Sequence, residues 1–281
     1  MRSTITGLAL AAMAIVPPAG LAAPTPQRIV SVNLCADELL VALADPAQIA
    51  SLSTYATDPT LSFIADRAKS FRHDAGGAET VVGLAPDLVL AGRFTRLATR
   101  QMLARLGYRV VLLDPARSVA QSVDQIRQIA ALVGHPERGE ALIAAVDDAT
   151  ARAMAAVGET KPTAAVYQRR GYVTGGETLT GELLALVGFA NAGGVLAGAT
   201  GGFVPLERLV TEPPDYLVVA SASPPVEDQG SALLAHPALA RLYPPARRIV
   251  LPERLTVCGG PSLPAAVDWL AGEARRVRLP P

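Results

Sequence analysis

The segment from Pro136 to Val157 constrains the fold more than any other stretch. Proline at a first helical position, with Glu137 beside it, is a helix start. Leu142, Val146, Ala149, Ala153 and Val157 recur at three- and four-residue steps, which is one face of a helix. Gly158 stops it and Lys161-Pro162 prevents a restart. At 1.5 Å per residue such a helix is roughly 30 Å long, the width of a small domain.

The two sides of this helix look alike. Before it stands Glu79-Thr-Val-Val-Gly-Leu-Ala-Pro86-Asp87, followed by the apolar run Leu88 to Ala91. After it stands Glu207-Arg-Leu-Val-Thr-Glu-Pro-Pro214-Asp215, followed by Tyr216 to Val219. Each copy reads as a short helix, a proline-marked turn and a buried strand, with the same spacing from Glu to Pro-Asp. The repetition predicts two duplicated lobes joined by one rigid helix.

At 281 residues the chain is long enough for two domains. Its formal charge is zero and no basic stripe stands out, which argues against nucleic acid as a partner. Arg2, the apolar run Ile5 to Val16 and the small residues Gly20-Leu21-Ala22 read as an export signal cleaved near Ala22. The run is too short for an ordinary membrane span. No other stretch could cross a bilayer, and the expected destination is a bacterial periplasm.

Strands alternating with helices imply α/β lobes, each with a mainly parallel sheet flanked by helices. In the first half, strands are expected at Arg28–Asn33, Ile49–Leu52, Leu88–Ala91 and Arg109–Leu113. Helices are expected at Leu34–Leu43, Thr95–Leu106 and from a Ser118 cap to Val133. In the second half, strands fall at Thr163–Gln168, Tyr216–Ala220 and Arg248–Leu251, and helices at Leu179–Val187 and Ser262–Arg276. A Gly-rich stretch runs from Gly188 to Gly202, within which the glycines from Gly193 to Gly202 suggest a flexible loop, and Ser221 to Gly230 reads as a Pro-rich one. The expected division is a signal at 1–22, an N-terminal lobe at 23–135, a connecting helix at 136–158 and a C-terminal lobe at 159–281.

In open parallel sheets ligands bind beyond the carboxyl ends of the strands. In the first lobe that rule selects Asn33, Leu34 and Cys35, then Thr54 and Tyr55, then Gly92, Arg93 and Phe94. In the second it selects Arg169, Arg170, Gly171 and Tyr172, then Ser221, then Thr256 to Gly260 with Cys258 among them. If the lobes face each other, these loops form one cleft. Catalytic signals are weak. There is no Gly-x-Ser-x-Gly and no phosphate loop ending in Gly-Lys-Ser/Thr. His135 and His236 directly precede prolines at helix starts, where structural roles are expected. Only His73 stands in a loop that could face the cleft, so no histidine metal site is expected.

The chain resembles a known family through Arg28-Ile-Val-Ser, the two Glu…Pro-Asp segments, Gly107-Tyr-Arg-Val-Val, Gly134-His-Pro-Glu-Arg and the long mid-chain helix. These are the helical-backbone, class III, periplasmic substrate-binding proteins of ABC importers for cobalamin, haem and ferric siderophores. The resemblance implies two α/β lobes, modest hinge motion and a metal-chelate cargo held between the lobes without a resident cofactor. It also implies that a Glu on each lobe docks onto arginines of the membrane permease, and Glu79 and Glu207 occupy those positions.

This sequence departs from corrin-binding relatives in its scarcity of aromatics; its one tryptophan, Trp269, is expected to be packed on the closing helix. Arg93, Arg169 and Arg170 suit an anionic chelate or haem propionates instead. With Tyr55, Tyr172 and Asn33 they are the expected cargo contacts. Cys35 and Cys258 fall in rim loops of opposite lobes. They could pair in a disulfide, touch a soft metal or cargo as thiolates, or stay unpaired. The alternative to a binding protein is an exported two-lobe enzyme, transferase-like, acting in the same cleft.

Overall fold

The computed structural model describes residues 24–220 and 232–278. The expected export signal and the expected Pro-rich loop from Ser221 to Gly230 lie outside the described residues.

The N-terminal lobe holds a parallel five-stranded sheet in the order β3-β2-β1-β4-β5. Its strands are β1 (Ile29–Ser31), β2 (Ile49–Ser53), β3 (His73–Asp74), β4 (Leu88–Gly92) and β5 (Val110–Leu113). Successive strand residues point to opposite faces. Ile29, Leu88 and Leu90 pack with α1 (Leu34–Leu43) and α5 (Val119–Val133). Val30 and Val89 pack with Val81 of α3 (Ala78–Gly83) and Leu103 of α4 (Leu97–Arg105). The short α2 (Ala65–Ala68) lies in the segment between β2 and β3.

The C-terminal lobe carries a parallel sheet in the order β11-β10-β6-β8. Its strands are β6 (Thr163–Val166), β8 (Ala190–Asn191), β10 (Tyr216–Val219) and β11 (Arg248–Val250). An antiparallel pair, β7 (Tyr172–Thr174) and β9 (Gly201–Phe203), stands beside it. Its helices are α7 (Leu179–Leu186), α8 (Gly193–Ala197), α9 (Leu206–Thr211), α10 (Pro237–Leu242) and α11 (Leu263–Arg278).

The duplication read from spacing reappears in the topology. If β6 is matched to β1, then β8-β6-β10-β11 repeats β2-β1-β4-β5. In each lobe a Glu-bearing helix, α3 or α9, precedes the matched strand, β4 or β10. The Pro-Asp turns serve the same purpose. The Asp87 carboxylate accepts the backbone N–H groups of Gln27 and Arg28 at 2.6 and 3.0 Å, just before β1. The Asp215 carboxylate accepts Thr163 N–H and its hydroxyl, both at 2.8 Å, where β6 begins.

The mid-chain helix, α6 (Pro136–Ala155), passes from one core to the other. Ile143 packs in the first lobe's core, while Val146, Ala149 and Ala153 pack in the second's. The periodic face is therefore Gly139, Ile143, Val146, Ala149 and Ala153, with Leu142 half-buried beside it. The helix stops at Ala155, short of the expected Val157. It forms a hairpin with α5, and the two approach closely at Gly139, where a Cβ would come within 2.6 Å of Ala130 Cβ.

Two local expectations change. The glycine-rich stretch from Gly188 to Gly202 holds β8, α8 and the start of β9 rather than a plain loop. His73 lies in β3, not in a loop. Among the described residues no helix is long and apolar enough to cross a membrane.

Candidate ligand-binding cleft

The disulfide between Cys35 and Cys258 fixes how the lobes meet. Cys35 sits in the first turn of α1, just beyond the carboxyl end of β1; Cys258 lies between β11 and α11. Their Cα atoms are 5.2 Å apart although 223 positions separate them in the chain. The carboxyl ends of the two sheets therefore face one junction. Two further contacts hold it. Gly260 N–H donates to Ser122 Oγ at 2.6 Å, and Val119 N–H at the start of α5 donates to the Glu182 carboxylate of α7 at 2.8 Å. Both sulfurs are used in the bridge, so thiolate contact with a metal and the unpaired state both drop out. Cys258 is also buried.

In the first lobe, β1 lies between β2 and β4, and the chain winds outward in both directions from it. Crevices at such reversal points are the usual ligand sites of parallel sheets. Asn33, Tyr55 and Arg93 surround this one. The Asn33 carboxamide oxygen caps α1 by accepting Ala36 N–H at 3.2 Å, which commits part of that side chain to structure. Its amide nitrogen lies so close to Gly92 that a Cβ there would collide with it. Tyr55 is 60% exposed, Phe94 is 85% exposed, and Arg93 lies 3.7 Å from Asp114, with both charges solvated.

Beneath this rim lies an acidic floor that the sequence reading missed. Asp37 is wholly buried and joins the end of β2 to α1: its carboxylate accepts the Ser53 hydroxyl at 2.5 Å and the Ser53 N–H at 3.1 Å. Burial outweighs these bonds and pushes its pKa up to about 6. Glu38 accepts Phe63 N–H at 2.9 Å through one oxygen, while the other is buried without a partner. Burial pushes its pKa up to about 8. In a leucine-rich helix, these neighbours could have been read as exposed; the segment between β2 and β3 covers them instead.

In the second lobe, Tyr167, Gln168, Arg169, Leu251, Glu253 and Thr256 help to line a pocket beyond β6, β10 and β11. Arg170 adopts a left-handed backbone, with φ 61°. Its guanidinium lies 6.0 Å from the ring centre of Phe203, which meets Tyr172 edge-on at 5.5 Å. The Tyr172 hydroxyl donates to the Thr200 carbonyl at 3.1 Å. Phe203 is 70% exposed and escaped the strand-end rule because it belongs to the accessory pair β7–β9. Burial, and then the Glu207 carboxylate, raise the Tyr167 phenol.

Glu79 and Glu207 are exposed at the second position of their helices, α3 and α9. Arg170, Phe203, Glu207 and His236 border one open hollow. His236 caps α10, and His135 pairs with Asp45 and Glu137. Trp269 is 43% exposed rather than packed, because its indole N–H reaches the Val250 carbonyl at the surface. Among the described residues no cluster of three or more His, Cys, Asp or Glu could hold a metal ion.

The family model described as periplasmic binding protein matches residues 29–248. The chain belongs to this family. Two curated cobalamin-binding proteins from strains of Halobacterium salinarum are 26% identical over 221 residues, covering 77% of this chain and 60% of theirs. The chain thus spans only about three-fifths of the length of those relatives. A possible iron-binding, periplasmic solute-binding protein from Staphylococcus epidermidis superposes with a TM-score of 0.71 at 17% identity, over 89% of this chain and 99% of that one. A periplasmic haem-binding protein from Pseudomonas aeruginosa gives 0.66 at 25% identity, over 89% and 91%. The two-lobe architecture and the linking helices are those of the helical-backbone class.

Proposed function

We propose that this protein is the substrate-binding component of an ABC importer in the periplasm. It captures a metal chelate between its lobes and delivers it to a membrane permease. The observation that carries this reading is the pair of strand-end rims, one per lobe, held toward each other by α6 and the Cys35–Cys258 bridge. Tyr55 and Arg93 approach the cargo from the first lobe, and Arg169, Arg170 and Tyr172 from the second. Related proteins carry the names cobalamin-binding, possible iron-binding and haem-binding, which supports a corrinoid, a ferric chelate or haem as the cargo. Arginine and tyrosine on both rims favour a cargo with anionic groups. Binding requires no bond to form or break, so the protein acts without turnover.

The mature chain, beginning near Ala23, is the form that works. Glu79 and Glu207 dock onto basic residues of the permease, one carboxylate per lobe. Thermal shift against corrinoids, haem and ferric siderophores tests the cargo. One class should raise the melting temperature in a saturable way. No shift across the panel, with product formed in a turnover screen of the same compounds, would replace this reading by the enzymatic one.

A further inference from the structure

The zero net charge conceals a local excess. Between Asp87 and Asp114 the chain carries Arg93, Arg96, Arg100, Arg105 and Arg109 and no acid or lysine. Removing these five from the 25 basic residues leaves 20 against 25 acids elsewhere, so the remainder is net negative by five.

The segment folds as β4, α4 and the edge strand β5. Only Thr99 and Leu103 of α4 are buried. Around α4, Phe94, Leu97, Met102 and Leu106 are 85%, 59%, 49% and 55% exposed. Among the described residues Arg96 and Arg105 enter no ion pair; Arg109 lies on the other face of the sheet, beside Val111 and against Gln128 and Leu132 of α5. Arg105 also suits the helix dipole at the end of α4, but this does not account for the others. The nearby acids are Asp114, which faces Arg93, and Glu79 on the adjoining α3. Helices that connect parallel strands begin at the strands' carboxyl ends. Phe94 and Leu97 therefore stand at the same end of the lobe as Glu79.

From this arrangement we infer that the α4 surface binds an anionic phospholipid bilayer. Exposed apolar side chains interspersed with arginines are what such an interface accepts. The apolar groups enter the acyl boundary and the guanidinium groups meet lipid phosphates. Contact here lays the protein on the membrane with its first lobe toward the lipid. The inference needs no cargo, so it stands or falls separately from the cargo class.

The test is sedimentation of the mature protein with vesicles of phosphatidylcholine alone and of phosphatidylcholine with phosphatidylglycerol in equal parts. The protein should pellet with the anionic vesicles only, and high salt should release it. The Arg96→Glu, Arg105→Glu double variant should partition at least about tenfold more weakly, since each basic residue contributes roughly fivefold. Leu97→Ser with Met102→Ser should also weaken it. Circular dichroism and melting temperature monitor the fold of each variant. Equal partitioning onto both vesicle types overturns the inference, as does unchanged partitioning of the charge-reversed variant. Capture by nanodiscs holding the permease, but not by empty anionic nanodiscs, also overturns it and assigns the surface to a protein.

Discussion

Asp87 and Asp215 occupy matching turns in the two lobes, and each carboxylate closes the start of the neighbouring strand. One aspartate thereby ties two adjacent strands at the end of the sheet away from the cleft. The paired Pro-Asp motif is thus a structural device repeated with the fold. The exposed glutamates that precede it are free to serve another end.

Alanine at Asp87 or Asp215 should cost about 1 kcal/mol, because the bonds are exposed and water can take the place of the lost carboxylate. The Thr163 bonds hold the Asp215 carboxyl below its ordinary range. Its contribution should be present above the ordinary carboxylate range and lost as pH falls through its lowered folded value. Melting curves of the single variants across acidic pH check this.

Loss of the bridge should loosen the junction between the lobes. On the chain-entropy model, a loop this long gives up to about 5 kcal/mol. Cys35→Ser with Cys258→Ser should melt at a lower temperature and show a broader size distribution in solution scattering. The native protein, denatured without reductant, should react with no thiol probe.

Stability should rise as pH falls from about 8 toward 5. Asp37 and Glu38 have folded values raised to about 6 and about 8. A raised carboxyl stabilises the fold fully below its unfolded value and ceases to do so as pH climbs through the folded one. Glu38 acts across the window from about 4.5 to 8, and Asp37 across that from about 3.8 to 6. Glu38→Gln should flatten the upper part of the profile. A melting temperature independent of pH over this window would contradict the buried acidic floor.

Alanine at Arg93, Arg170 or Phe203 should weaken cargo binding while leaving the melting temperature of the free protein nearly unchanged. The three side chains are exposed and little else rests on them. Titration calorimetry with the cargo found by the thermal-shift panel provides the measure. Unaltered affinity at all three would move the site elsewhere.

Glu79→Lys and Glu207→Lys, singly and together, should leave cargo affinity intact and abolish uptake most completely in the double variant. Rim charges govern encounter and salt dependence more than fold. Charge reversal on the permease should restore part of the transport, whereas normal uptake by the double variant would remove both residues from the docking role.

Much of this was legible because it depends on local rules. Ser118 and Asn33 cap the helices that follow them, and Pro136 opens α6. The strand-end rule selected Tyr55, Arg93 and Tyr172 from alternation alone. What escaped depends on distant packing. Phe203 approaches Tyr172 only because β7 and β9 pair across the glycine-rich stretch. The burial of Asp37 and Glu38 is decided by a segment some twenty residues downstream. The partner of Cys35 lies 223 positions away, and no local signal selects it.

The bridge from Cys35 to Cys258 turns most of the chain into a covalent ring, with α6 as a rod across it. A protease that cuts once anywhere between residues 36 and 257 opens the ring without releasing a piece. Both lobes stay in one molecule, still held at the junction where cargo is expected to sit. In a compartment with hydrolases and no ATP-driven refolding, a nicked protein of this design can remain intact as a particle. Two cuts inside the ring free only the segment between them; parting one lobe from the other at the connecting helix takes one cut and a reductant.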